Sequence, residues 1–274
     1  MAVPHVVLNN GIEIPQLGFG VYKVPAEETR KVVATALDAG YRHIDTAKLY
    51  RNEEGVGQAV RDSGLDRDEV FVTTKLWNRD QGYDAALRAF DASIGRLGFD
   101  VVDLYLIHWP MPERGLTAET WRALEKLYAD GRVRAIGVSN FEPEHLRALV
   151  DGAGVVPVVN QVELHPYLQQ AEVRRVNTEL GVATEAWAPL ARAGALFTEP
   201  TISRLADKHG KTPAQVVIRW HLQLGTIVIP KSVTPSRIAE NFDVFGFALD
   251  EEDMAAIAAL DRDGRSGPHP NEMN

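Results

Sequence analysis

The sequence predicts an α/β fold, a single (β/α)8 barrel, and three observations lead there. Eight apolar runs alternate with eight helical patterns along the chain. Those runs are nearly continuous in Val, Ile, Leu and other apolar residues, as expected of parallel strands buried on both faces. No Pro/Ser-rich linker or shift in composition divides the 274 residues, and barrels of about 250 residues form one domain. Residues 1–274 are therefore expected to be one barrel domain.

The elements follow in order. "HVVLNNGIEIPQLGFG" places two short apolar runs around Asn9-Asn10-Gly11, which predicts a β-hairpin serving as a plug or an edge. "QLGFG" precedes a helix from about Ala26, with Val32, Val33, Ala36 and Leu37 on one face and Gly40 to stop it. "YRHID" leads to a helix through Gly57 to Val60, and "VFVTTKLW" to one carrying Leu87, Phe90, Ile94 and Leu97 at helical spacing. "VVDLYLIHW" precedes a helix with Trp121, Leu124 and Tyr128 on one face, and "VRAIGVSNF" a helix begun by Pro143. "VVPVVNQVEL", "VATEAWAPL" and "TIVIPKS" complete the eight units, with helices near 169–179, ending near Gln223, and last in the chain.

Composition bounds the function. Apolar residues make up 45% and charged residues 24%, which suits a soluble globular chain with a large core. A net charge of −9 argues against nucleic acid, whose binding leans on clustered cations. With no Cys there is no disulfide, thiolate metal site or Cys nucleophile. No apolar stretch approaches the ~18 residues of a membrane span and the opening has no basic leader, so a cytoplasmic protein is expected.

Several motifs invite misreading. "GVGQAV" (Gly55 to Val60) lacks the third Gly of a dinucleotide fingerprint and lies ten residues past its strand, so helix packing accounts for it better. "GKT" at 210–212 lacks the earlier Gly of a phosphate loop, and Thr212-Pro213-Ala214-Gln215 reads as a capping box. His43 two residues before Asp45 is a spacing some metal barrels use, but no convergent carboxylates accompany His108, so no metal is expected.

In such a barrel the active site lies at the C-terminal strand ends. Taken in order, those ends carry Tyr22, Asp45 with Tyr50, Lys75, His108, Ser139-Asn140, Gln161, Trp187 and Lys231-Ser232. Each has a bland alternative: Lys75 could snorkel, His108 could be a core histidine, and Asp45 could cap a helix. Together they suggest one chemistry. An ammonium at Lys75 favours the phenolate of Tyr50 and brings its pKa down from ~10 toward use near neutrality. A buried Lys75 needs an anion, and Asp45 supplies it. A neutral His108 offers an N–H to a substrate oxygen. Such a set protonates an oxygen as charge builds on it, which suits reduction of a carbonyl with hydride supplied from elsewhere.

The motifs "HIDTAKLYRNEEGVG", "VTTKLWN", "DLYLIHWP", "IGVSNF", "NQVELHPY", "EAWAPL" and "IPKSVTPSRIAENFDVF" resemble, in order, those of the aldo-keto reductases. The resemblance is to the bacterial branch typified by 2,5-diketo-D-gluconate reductases. It implies a barrel that binds NADP(H) without a Rossmann domain. Carried over by motif, Tyr50 is the general acid/base, Lys75 and Asp45 tune it, and His108 orients the carbonyl. Ser139, Asn140 and Gln161 hold the nicotinamide carboxamide, Trp187 stacks on its ring, and Leu190 lies along the cofactor. Lys231, Ser232, Val233 and Arg237 surround the 2′-phosphate, with Glu240 and Asn241 near the adenine. The cations around a helix start would form a phosphate site in any family, so NADPH is expected over NADH.

The same resemblance puts Tyr22, Leu49, Trp77 and Trp109 around the substrate. Loops near 111–118 and 190–200 and the tail after Gly264 close the mouth. Small dicarbonyls, aldehydes and keto-sugars are the implied substrates, and family habit implies a monomer. Lys48 is expected to face solvent; facing inward, it would favour acidic carbonyl compounds. Asn52-Glu53-Glu54 reads as helix-start chemistry. Two rivals come from other classes: a regulatory protein binding NADPH without turnover, and a metal-dependent hydrolase that a chelator would inactivate.

Overall fold

The computed structural model describes residues 3–192 and 194–273. Its first elements are antiparallel strands β1 (His5–Val7) and β2 (Glu13–Pro15), paired from His5↔Pro15 to Val7↔Glu13. Gly11, at φ +82°, takes the left-handed position of the connecting turn. Leu8 and Ile14 of this hairpin are buried in one cluster with Phe71, Leu104, Leu106, Ala135, Val159 and Ile227. The hairpin is thus a plug, and those residues fill the barrel interior.

The barrel then follows as β3 (Phe19–Gly20), α1 (Ala26–Asp38), β4 (His43–Asp45), α2 (Glu53–Asp62), β5 (Phe71–Leu76), α3 (Tyr83–Leu97), β6 (Val102–Ile107) and α4 (Thr117–Ala129). It continues with β7 (Val133–Ser139), α5 (Pro143–Val150), β8 (Val159–Glu163), α6 (Ala171–Glu179), β9 (Ala183–Trp187), α7 (Pro200–His209) and α8 (Pro213–Gln223). Strand β10 (Ile227–Val228), α9 (Pro235–Phe242) and α10 (Glu251–Ala258) complete it. Strands β3 to β10 pair in sequence order, all parallel. Closure comes from a parallel bridge between Leu17 and Val228, with Gly18 N donating to Val228 O at 2.8 Å. Sheet and helices meet in a second core holding the helical stripes expected from sequence, among them Val33, Leu37, Phe90, Leu97, Trp121 and Leu124.

The misleading motifs resolve into packing. A Cβ on Gly57 would lie 1.9 Å from the carbonyl oxygen of Leu97, so this glycine lets α2 touch the end of α3. Thr212 and Gln215 form the reciprocal capping box, Thr212 N donating to Gln215 Oε1 at 3.0 Å. Among the described residues no helix is long and apolar enough to cross a membrane.

Candidate active site

Parallel register sets Asp45, the last residue of β4, opposite Thr73 of β5, with Lys75 two residues further on the same face. Both side chains are buried. Lys75 Nζ donates to both carboxylate oxygens of Asp45 at 2.7 Å and to Thr46 O at 2.9 Å. Burial pushes Lys75 toward neutrality, but Asp45 overrides it and holds the ammonium above its ordinary pKa.

A short 3-10 helix, Lys48–Tyr50, returns the chain over the strand ends and sets the Tyr50 ring 5.2 Å from Lys75 Nζ. The geometry matches the sequence expectation; the acidity does not. Although Tyr50 is only half-buried, desolvation lifts the phenol to about 12, and the opposing charge and hydrogen bond of Lys75 only partly offset it. At neutral pH Tyr50 therefore carries its proton. His108, just past β6, meets Tyr50 edge-to-face at 5.9 Å between centroids. Burial, then Lys75, hold its pKa well below the usual histidine value, so the ring is neutral. Trp77 contacts it edge-on at 5.4 Å and Trp109 stacks at 6.5 Å. Tyr22 lies 5.0 Å from Tyr50, and Tyr22 and Leu49 are exposed at the rim. Lys48 stays partly exposed at the rim and pairs with Asp80 at 2.5 Å.

A second polar set adjoins this one. Ser139 Oγ donates to Gln161 O at 2.8 Å, and Asn140, at φ +64°, donates through Nδ2 to His108 O at 2.9 Å. Trp187 Nε1 donates to Asn140 Oδ1 at 2.8 Å, and Gln161 Nε2 to Asp45 Oδ2 at 2.9 Å. Ser139, Asn140, Gln161 and Trp187 are thus wired to Asp45 and His108. Leu190 is half-buried beyond them.

Past β10, Lys231, Val233 and Arg237 are exposed around the start of α9, with Ser232 half-buried. Among the described residues no carboxylate lies within ion-pair distance of Lys231 or Arg237, both exposed beside the start of α9. Two free cations beside a helix start fit a phosphate group. Asn241 is buried, and one Glu240 oxygen accepts from Thr212 Oγ1 at 2.8 Å. Among the described residues no His, Cys, Asp and Glu cluster could hold a metal.

The family model described as "Aldo/keto reductase family" matches residues 16–262. The chain belongs to the aldo-keto reductase family. An aldo-keto reductase from Mycobacterium sp. (strain JLS) is 58% identical over 274 residues, covering 100% of this chain and 99% of the relative. The glyoxal reductase of Bacillus subtilis is 50% identical, covering 98% and 96%. Among solved structures, a point mutant of Gox0644 in complex with NADPH is similar with a TM-score of 0.96 and 53% identity, each chain wholly covered.

Several polar residues of this aldo-keto reductase escaped the reading of strand ends. Glu163, two residues past Gln161, accepts from Ser266 N at 2.7 Å and Gly267 N at 2.9 Å. Burial opposes its charge, but these donors and His165 hold its pKa down to about 2. The tail after Gly264 is thereby fastened beside Trp187, whose ring would lie 2.6 Å from a Cβ on Gly267. Alternation along β8 was the available signal, since residues two apart share a face. Asn52 and Glu53 are not helix-start groups alone. Asn52 joins Thr46 to Val21 and Val24, and buried Glu53 pairs with Arg96 at 2.6 Å.

Proposed function

We infer that this chain reduces aldehydes and ketones to alcohols with NADPH, with Tyr50 as proton donor. The carrying observation is the placement of the Tyr50 ring against His108 at 5.9 Å and over the Lys75–Asp45 pair, 5.2 Å from Lys75 Nζ. Trp187, Asn140, Ser139 and Gln161 form the surface for the nicotinamide, and Lys231, Ser232 and Arg237 the grip on the 2′-phosphate. Bound NADPH supplies the hydride.

His108 and Tyr50 both donate to the carbonyl oxygen, His108 through its neutral ring N–H. As charge develops there, the oxygen becomes a far stronger base than a phenolate, since even water has a pKa of 15.7. A phenol at about 12 therefore still gives up its proton downhill. Lys75, held by Asp45 and Thr46, acts on Tyr50 through its charge and a hydrogen bond, and both stabilise the phenolate left behind. Trp77 and Trp109 against His108, with Tyr22 and Leu49 exposed beside Tyr50, give an apolar surround at the rim that suits small dicarbonyls and keto-sugars. Identity to a glyoxal reductase supports the first of these.

The site is assembled within one chain, which a monomer acting as one barrel domain over residues 1–274 accommodates. The test follows NADPH absorbance with glyoxal, methylglyoxal, simple aldehydes and keto-sugars. Consumption of NADPH with at least one carbonyl class, unaffected by chelator, is expected; NADPH binding without consumption across the panel would instead favour a regulatory protein.

A further inference from the structure

Below the Asp45–Lys75 pair the barrel holds two further titratable groups, Glu185 of β9 and His43 of β4, both 0% exposed. Glu185 sits in register with Gln161 of β8, which donates to Asp45, and with Ile227 of β10. Neither carboxyl oxygen of Glu185 has a hydrogen-bond partner among the described residues, and neither does His43 Nδ1. His43 Nε2 lies 3.7 Å from Glu185 Oε1, beyond a hydrogen bond, and 3.1 Å from Thr73 Oγ1. Gly18 makes room for this ring, since a Cβ there would lie 2.5 Å from His43 Nδ1.

A buried carboxylate without a well-aligned donor is strongly disfavoured unless it stays protonated, and Gln161, which already donates to Asp45, only partly opposes this at Glu185. The groups near Glu185 are His43 and Asp45 from β4, Lys75 from β5 and Gln161 from β8, while Ile227 of β10, its register partner, brings no charge. Lys75 is the only cation in that set, and Asp45 already neutralises it. Burial and then Asp45 lift the Glu185 carboxyl to about 8, and burial holds His43 down at about 3. The layer under the site is thus an uncharged acid beside an uncharged imidazole. Because Glu185 and Asp45 interact, the proton is a property of the pair.

We propose that Glu185 is a positioning residue for proton transfer at Tyr50, an uncharged buried acid whose ionisation places a second negative charge beneath the Lys75–Asp45 pair. That charge draws on the Lys75 field that would otherwise stabilise the Tyr50 phenolate, so proton donation weakens as Glu185 ionises. The inference rests on the reading of Tyr50 as donor.

The experiment compares the pH dependence of kcat for glyoxal reduction in the native chain and in Glu185→Gln, which keeps shape and stays neutral. In the native chain kcat should fall about three- to tenfold through an inflection on the mildly alkaline side, while Glu185→Gln stays flat and matches it near neutrality. Superimposable profiles overturn the proposal. Tyr50→Phe runs alongside: if it retains turnover, the donor assignment itself has failed. Should Glu185→Gln not fold, infrared spectroscopy of the native chain with 13C-labelled Glu decides. A protonated carboxyl band at neutral pH that is lost at mildly alkaline pH supports the proposal; its absence at neutral pH overturns it.

Discussion

Lys75 Nζ is equidistant, at 2.7 Å, from the two carboxylate oxygens of Asp45, inside a barrel where both residues are buried. Such a pair is a weak net stabiliser, because desolvation offsets most of the attraction, yet breaking it strands a charge. Asp45→Ala should lower stability by about 3–5 kcal/mol, while the added change Lys75→Met should recover most of that loss. Urea unfolding of both variants checks this, and equal losses in single and double mutants would contradict it.

The grip on the cofactor should be electrostatic at its far end. Lys231→Ala and Arg237→Ala should each weaken NADPH binding roughly ten- to a hundredfold, the worth of one charge-assisted contact. NADH, which has no 2′-phosphate, should bind nearly as before. Fluorescence titration with both cofactors measures the difference, and equal weakening of the two would remove these cations from the phosphate site.

Neutral buried histidines give the fold a predictable acid limb. Burial holds His43 and His221 at about 3 and His108 well below the usual value, so the folded chain resists protons that the unfolded chain binds below ~6.5. Stability should therefore fall as pH drops from about 6.5 toward 3, each histidine adding up to about 1.4 kcal/mol per pH unit. Glu185 and Glu142, raised rather than lowered, act in the opposite direction over part of that window, while lowered His145 adds to the histidine trend. Urea midpoints at successive pH values follow the trend, and a flat profile between neutrality and pH ~4.5 would contradict the neutral assignment.

The tail anchor predicts a local effect. Glu163→Gln keeps the shape but removes the charge that Ser266 N and Gly267 N share. Hydrogen exchange at Ser266 and Gly267 should quicken while β8 stays protected, since the amide keeps only weaker acceptor bonds. Unchanged exchange would show that the tail is held by other contacts.

Strand–helix alternation made the barrel legible, because buried parallel strands leave continuous apolar runs and eight of them closed by helices have few other solutions. Asp45, Lys75, His108 and Gln161 could be picked out because each ends such a run. What lies deeper could not. Glu185 and His43 meet only after eight strands close, so their proximity is set by barrel geometry and not by spacing in the chain. The acidity of Tyr50 also depends on depth: a neighbouring ammonium was readable, but not the burial that outweighs it. The partner of Lys48 was hidden for a similar reason, since Asp80 comes from the loop after another strand.

The account rests on a proton leaving Tyr50 for the reduced carbonyl oxygen, and Tyr50→Phe isolates that step by deleting one hydroxyl. NADPH should bind the variant as tightly as the native chain by fluorescence titration, while kcat for glyoxal falls about 10²–10⁴-fold. Near-native kcat with binding intact would contradict the account.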